Sequence, residues 1–356
     1  MKVSMSSIKL KDKYGDILMA FAEVTVATLI GLGISAILIK VGGYSPTSAL
    51  YYLFKGAFGN LYGFYTTLSY SIPLMLTGLA FAVSVRAGLF NIGAEGQVYI
   101  SALGAIMVAS IALPSYLYLP AEFAVGVTFA IAWSLTAGIL KVWKGVNEVV
   151  STIMLNWIAY WVVEYSRSNI YYDPLSPDRT IRIPVSGRLP LLIPNTQLYS
   201  GIFISLAVVV IFYIIMWKTA IGYEIRAVGL NPNASKYGGI RISLVALEAF
   251  AISGLLAGLA GVMETIGRPP TYAIVTSLTN LVNLGFNGIT VSLIGRNNPL
   301  GIIPASIFIG GLTAGATSMQ IFAGVPLEMV QAVQGVIVIV LAIPGVIRLI
   351  KSKIRR

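Results

Sequence analysis

Apolar stretches of roughly 17 to 25 residues recur along this chain, the length at which an α-helix crosses the hydrocarbon core of a bilayer. Backbone placed in lipid must satisfy its own hydrogen bonds, which leaves helices or a closed barrel. The alternating ten-residue pattern of a barrel strand is missing, so the spans are helical. Composition agrees: 57% of the 356 residues are hydrophobic, 10% are charged, and the mean hydropathy is +0.85. These values lie outside the range of soluble globular domains. The chain reads as an all-α, multi-pass protein of the cell membrane.

The expected spans number about ten: 17–39, 66–85, 98–113, 121–140, 149–165, 199–217, 242–264, 278–295, 300–318 and 328–347. The first, Ile17 to Ile39, follows Lys2, Lys9, Lys11 and Lys13; it is too long for a signal segment and has no obvious cleavage site, so it is read as retained. With the N-terminus in the cytoplasm, 17 of the 24 Lys and Arg fall inside and 7 outside. That asymmetry obeys the positive-inside rule and puts both termini in the cytoplasm. The net charge of +11 is then a matter of topology, and nucleic acid is not implied as a partner. The layout becomes a tail over 1–16, a membrane domain over 17–347 and a basic tail over 348–356. A Pro-rich loop over 166–198 lies outside, a polar loop over 218–241 inside, and residues 44–65 suit an external interfacial helix.

Spans 2–5 and 7–10 form two groups of four in opposite orientation, the parity an inverted repeat requires. Glu148-Val-Val opens span 5 where Glu328-Met-Val opens span 10, and Leu89-Phe90-Asn91 matches Gly285-Phe286-Asn287. Function classes narrow by absence. Without cysteine or histidine there is no Ser-His or Cys-His nucleophile, no HExxH zinc site, no His-ligated haem and no disulfide. No GxxxxGK[ST] loop occurs either. If ATP is used, another subunit hydrolyses it.

Polar residues in so apolar a chain need a reason. In RAGLFNIGAEGQ, residues 86–97, Gly88, Gly93 and Gly96 predict a break in the backbone, and Asn91, Glu95 and Gln97 can satisfy the groups it frees. A polar cytoplasmic turn or a direct part in the substrate path would both account for them. A turn that needs only its backbone satisfied predicts a mild effect from Glu95→Gln. Span 5 stacks Glu148, Thr152 and Asn156 on one face, and span 10 stacks Glu328, Gln331 and Gln334. These stripes suit either a shared polar pathway or interhelical hydrogen bonds; a pathway role predicts reduced uptake from Asn156→Leu with stability retained. Gly254, Gly258 and Gly261, with Gly311 and Gly315, have the spacing of close helix packing. In the inner loop, Asn231-Pro232 predicts a capped short helix that Gly238-Gly239 ends.

GLFNIGAEGQ, EVVSTIMLNWIA and GYEIRAVGLNPNASKYGGI together resemble the permease subunits of ABC importers for nucleosides and simple sugars, a group related to ribose and branched-chain amino acid permeases. The resemblance covers nearly the whole chain from about residue 17. It implies a ten-helix importer fold with spans 5 and 10 near the pathway. It makes the inner loop a coupling helix for a cytoplasmic ATPase, with Glu224, Arg226, Gly229, Asn231, Pro232, Tyr237 and Gly238 as its working residues. ATP and Mg would sit on that partner, and this chain would carry no cofactor, no metal and no catalytic residue. It also implies a second permease, a different chain in many such systems, and an extracellular or lipid-anchored substrate-binding protein. The long loop 166–198 departs from many relatives. A permease for branched-chain amino acids is a neighbouring alternative; an ion-coupled secondary transporter is another, and would rely on Glu23, Glu248 or Glu264.

Overall fold

The computed structural model describes residues 25–342. The expected tails 1–16 and 348–356, Glu23, the first residues of span 1 and the last residues of span 10 lie outside the described residues. Thirteen helices are described: α1 (Thr25–Val41), α2 (Pro46–Phe58), α3 (Leu61–Arg86), α4 (Ala94–Ala109), α5 (Tyr118–Lys144), α6 (Glu148–Asn169), α7 (Gly201–Lys218), α8 (Ala220–Leu230), α9 (Pro232–Tyr237), α10 (Ile242–Gly267), α11 (Leu284–Ile294), α12 (Pro299–Ala323) and α13 (Leu327–Ala342). Two short strands, β1 (Tyr172–Asp173) and β2 (Ser176–Thr180), form a hairpin. The chain divides into two compact units, one comprising residues up to Gly56 and from Gly315 onward, the other Ala57–Ala314.

Each of the ten expected spans coincides with a helix, yet among the described residues five helical stretches are long and apolar enough to cross a bilayer alone: Leu61–Arg86, Ser115–Lys144, Gly201–Lys218, Ile242–Gly267 and Pro299–Ala323. The 16 residues of α4 reach only about 24 Å at 1.5 Å per residue. Nearly every residue of α4 is buried, which makes it a core helix enclosed by protein. The expected span 278–295 is shortened to the 11 residues of α11. Its first part is irregular because Ser277, Leu278 and Asn283 adopt positive φ, which no continuous helix accommodates.

In the larger unit α10 packs along α5, α3 and α4, while α3 also packs along α11. Pro73 lies inside α3 and cannot donate to the carbonyl four residues back. That carbonyl, of Ser69, instead accepts Arg268 Nη2 at 3.3 Å. The close approaches come from glycine. A Cβ at Gly254 would meet Ala130 and Ile131, one at Gly258 would meet Ala130 and Val127, and one at Gly261 would fall on Ser101 Oγ and the Val98 carbonyl. Gly311 faces Phe58 in this unit, and in the other unit Gly315 lies against the Leu53 backbone.

The loop expected over 166–198 is ordered. Helix α6 runs on to Asn169, and the hairpin carries an Arg179–Asp173 ion pair at 3.3 Å. The N–H of Leu175, with Arg179, holds the Asp173 carboxyl below its usual value. The loop is stapled to the end of α10 and the segment after it by Leu189 N–H to Ile266 O (3.1 Å), Ile183 N–H to Tyr272 O (2.8 Å) and Thr180 N–H to Ile274 O (2.9 Å).

Overfilling a tight core contact costs roughly 1–3 kcal/mol or more. Gly261→Val is therefore expected to lower the melting temperature in detergent and the folded yield. Gly335→Ala, where an added Cβ meets nothing within 4 Å, should lower neither.

Candidate functional site

After Arg86 the chain leaves the helix, turns at Gly88 (φ +76°) and re-enters as α4 at Ala94. Ala87, Gly88 and Leu89 still donate to carbonyls of α3, and from Phe90, which is exposed, to the buried Asn91 and Gly93 the backbone has lost its helical partners. Helix α6 replaces them with one side chain per turn. Glu148 Oε1 accepts Phe90 N–H (3.4 Å), Thr152 Oγ1 accepts Ile92 N–H (3.3 Å), and Asn156 accepts Gly96 N–H (2.8 Å) while donating to Ile92 O (3.0 Å). Glu148 also holds Lys141 at 2.7 Å. The stripe of span 5 thus serves the backbone of the segment 87–96, and Asn156 spends both ends of its amide there.

Asn91 and Gln97 continue inward. Asn91 donates to Ser253 Oγ on α10 (2.9 Å) and accepts from Gly93 N–H (2.8 Å). Gln97 donates to Ser134 Oγ on α5 (3.0 Å), and Ser134 donates to Phe250 O (2.6 Å). One buried polar chain therefore ties the segment to α4, α5 and α10. Ser134 and Ser253 were not singled out in the sequence, where a lone serine in an apolar span carries no signal.

Glu95 reaches across to the second half of the chain. Its side chain is 2% exposed. Oε1 accepts the Tyr99 hydroxyl (2.5 Å) and Asn283 N–H (2.5 Å); Oε2 accepts Gly285 N–H (2.6 Å) and Phe286 N–H (3.3 Å). The carboxylate sits on the N-terminus of the half-length helix α11, where unpaired N–H groups and the helix dipole favour an anion. Tyr99, Asn283 and the irregular start of α11 are parts of this arrangement that no sequence pattern marked.

The inner loop holds two helices. Helix α8 is capped by Thr219, and α9 by Asn231 Oδ1, which accepts Ala234 N–H at 3.0 Å, with Pro232 at the first position. Gly238 follows α9, and Gly239 turns with φ +85°. Gly229 lies on the Arg86 carbonyl, so that no Cβ fits there. Arg226 bonds Gly222 O (3.1 Å) and, with Arg86, flanks the Trp217 ring at 5.7 and 4.7 Å. Glu224 is half-buried. The most exposed large apolar and aromatic residues of the loop are Tyr237 (94%) and Leu230 (87%). Leu230 was not among the expected working residues.

In the other unit, Glu328 and Gln331 are exposed on α13 while Val330, Val333 and Ile337 are buried, and Gln334 is intermediate. Of the carboxylates an ion-coupled mechanism would use, Glu264 lies 2.9 Å from Arg268 Nε, an ion contact without hydrogen-bond alignment. Among the described residues no group of three metal-ligating side chains occurs.

The family described as "Branched-chain amino acid transport system / permease component" matches residues 63–342. The guanosine ABC transporter permease protein NupP of Bacillus subtilis is 36% identical over 335 residues, 93% of this chain and 95% of its own. The glucose ABC transporter permease protein TsgB13 of Haloferax volcanii is 27% identical over 91% of this chain and 87% of its own. A second Bacillus subtilis guanosine ABC transporter permease protein, NupQ, is 27% identical over 68% of this chain and 78% of its own.

Two substitutions test the hydrogen bonding, and for both the geometry reverses the sequence expectation. Glu95→Gln puts an NH₂ where an oxygen accepts N–H groups, and leaving a buried donor unpaired costs about 1–3 kcal/mol. A lowered melting temperature and weak uptake are expected, in place of a mild effect. Asn156→Leu orphans Gly96 N–H and Ile92 O, so it should also lower thermal stability. Wild-type stability in either variant would refute these assignments.

Proposed function

The chain belongs to the family of permease components of branched-chain amino acid transport systems, and from that premise we propose that it forms the membrane pathway of an ATP-driven importer for a nucleoside. Likeness to NupP along nine-tenths of the chain supports this substrate class. TsgB13, a glucose permease protein, favours a simple sugar as the second reading.

The observation that carries the mechanism is the exposed, capped pair α8–α9. A six-residue helix is too short to persist unaided, so its cap at Asn231 and the seating of Gly229 on Arg86 hold it in place. Leu230 at the end of α8 and Tyr237 are the most exposed of the large apolar and aromatic residues at and before it, the kind of side chain that anchors a contact. The partner proposed for it is a cytoplasmic ATP-binding subunit that carries the ATP and Mg. Movement of that subunit would pass through Gly229 to the Arg86 carbonyl and into the segment 87–96.

We place the inner loop in the cytoplasm, both termini with it, and the hairpin loop outside, where an extracellular or lipid-anchored binding protein would deliver substrate. The charge partition supports this orientation. Cross-packing of α3 with α11 and of α10 with α4 supports an inverted repeat of α3–α6 and α10–α13, because each half lends its first helix to the second helix of the other. Helix α10 matches α3 at 26 residues each. Glu328 and Gln331 are the polar groups we assign to the pathway wall, since exposed polar side chains on a membrane helix must meet water or protein. The second permease subunit is proposed as a different chain; NupP and NupQ of one organism, both guanosine permease proteins, support that.

Coupling is tested at Tyr237, because Gly229 would report packing instead. Tyr237→Glu should leave expression and melting temperature unchanged while uptake in vesicles containing all subunits falls about tenfold, the effect of losing roughly 1.4 kcal/mol of an interfacial contact; wild-type uptake would contradict it. Orientation is tested by cysteine labelling, with no native cysteine to interfere. Leu175→Cys, at a site 93% exposed, should react with an impermeant reagent from outside, and Asn233→Cys only after lysis. Ser235 is buried and would report nothing.

A further inference from the structure

A cavity of about 620 Å³ lies where the end of α5, the link from α9 to α10 and the start of α10 meet. Leu89, Val142, Ile240 and Ala246 make its wall apolar, and Lys141, Lys236 and Arg241 make it basic. The cations come from three elements: the last turn of α5, the last turn of α9 and the N-cap of α10. No carboxylate lines the cavity. Glu148 occupies Lys141 at 2.7 Å, and Glu248 lies within Coulomb range of Arg241. Lys236 and Arg241 make no ion pair among the described residues. Ile242 and Ser243 also line the space, and their Arg241 N-cap makes no side-chain cap bond, so the positive end of the α10 dipole adds to the same field.

We propose that this cavity seats an anionic phospholipid of the inner leaflet, its phosphate between Lys236 and Arg241 and its chains along Leu89, Val142, Ile240 and Ala246. Basic pockets between helices on the cytoplasmic side suit phosphate headgroups. The apolar wall decides for a lipid over a free phosphate, which would use the cations and leave that wall wet. Bound there, the lipid joins α9 to α5 and α10 and braces the coupling helix. The inference rests on the orientation proposed above, which the cysteine labelling tests separately.

The experiment compares the assembled transporter, purified in mild detergent from membranes containing phosphatidylglycerol and phosphatidylcholine, with its Lys236→Gln/Arg241→Gln variant. Lipids that remain bound are extracted and quantified by mass spectrometry. Phosphatidylglycerol should be retained about fivefold or more above the variant, with phosphatidylcholine unchanged. Equal phosphatidylglycerol in both would overturn the proposal, and so would a variant that loses its ATP-binding subunit while keeping its lipid, since the cations would then face protein. In a second measurement the purified chain is heated with short-chain phosphatidylglycerol, short-chain phosphatidylcholine or inorganic phosphate. Only the first should raise the wild-type melting temperature, and it should fail to do so in the variant; equal stabilisation by inorganic phosphate would refute the lipid assignment.

Discussion

Three of the four hydrogen bonds that Glu95 accepts tie α4 to the start of α11, and the fourth, from Tyr99 one turn along α4, holds the carboxylate in place. Helix α11 is too short to cross a bilayer and begins in irregular backbone, so its first N–H groups need a partner from elsewhere in the chain. The Glu95 carboxylate supplies it from α4. Broken membrane helices commonly present such ends to ligands. Here the end is closed internally, which fixes α11 against α4 and leaves Thr77 of α3 to bond Leu284 O at 3.0 Å on its other side.

The remaining polar residues follow from the same constraint. A segment that leaves the helix at Arg86 and returns at Ala94 exposes backbone groups inside an apolar protein, and Glu148, Thr152 and Asn156 meet them one turn at a time. Because Gly229 rests on the Arg86 carbonyl, the loop 218–241 bears directly on that segment. Contact therefore runs without interruption from the exposed residues Leu230 and Tyr237, through Arg86 and the broken segment, to Glu95 and α11. A force applied at α9 has a physical route to the helix ends inside the membrane domain.

Much of this was legible in the sequence. Apolar run length located helices at all ten expected spans, Asn231-Pro232 announced the capped helix, and the glycines of α10 sit where their spacing put them. The roles of Glu95 and Asn156 were not legible, because their partners are backbone atoms distant in sequence: Asn283 to Phe286 for one, Ile92 and Gly96 for the other. Periodicity finds a polar face but cannot say whether it meets water, substrate or a broken strand of backbone. The shortening of α11 was hidden for a related reason. The stretch 278–283, Leu-Thr-Asn-Leu-Val-Asn, mixes apolar and polar residues as many span ends do, and the left-handed residues Ser277, Leu278 and Asn283 delay the start of the helix. Leu230 escaped notice because one apolar residue in a polar loop has no pattern to stand out from.

The central claim, that one carboxylate closes the N-terminus of α11, is tested most directly by hydrogen–deuterium exchange of the segment 279–290 in the membrane-embedded protein. The Asn283, Gly285 and Phe286 amides should exchange slowly in the wild type, and Glu95→Ala should accelerate them while amides in α7 stay unchanged. Exchange at 279–290 that is indifferent to Glu95→Ala would contradict the account.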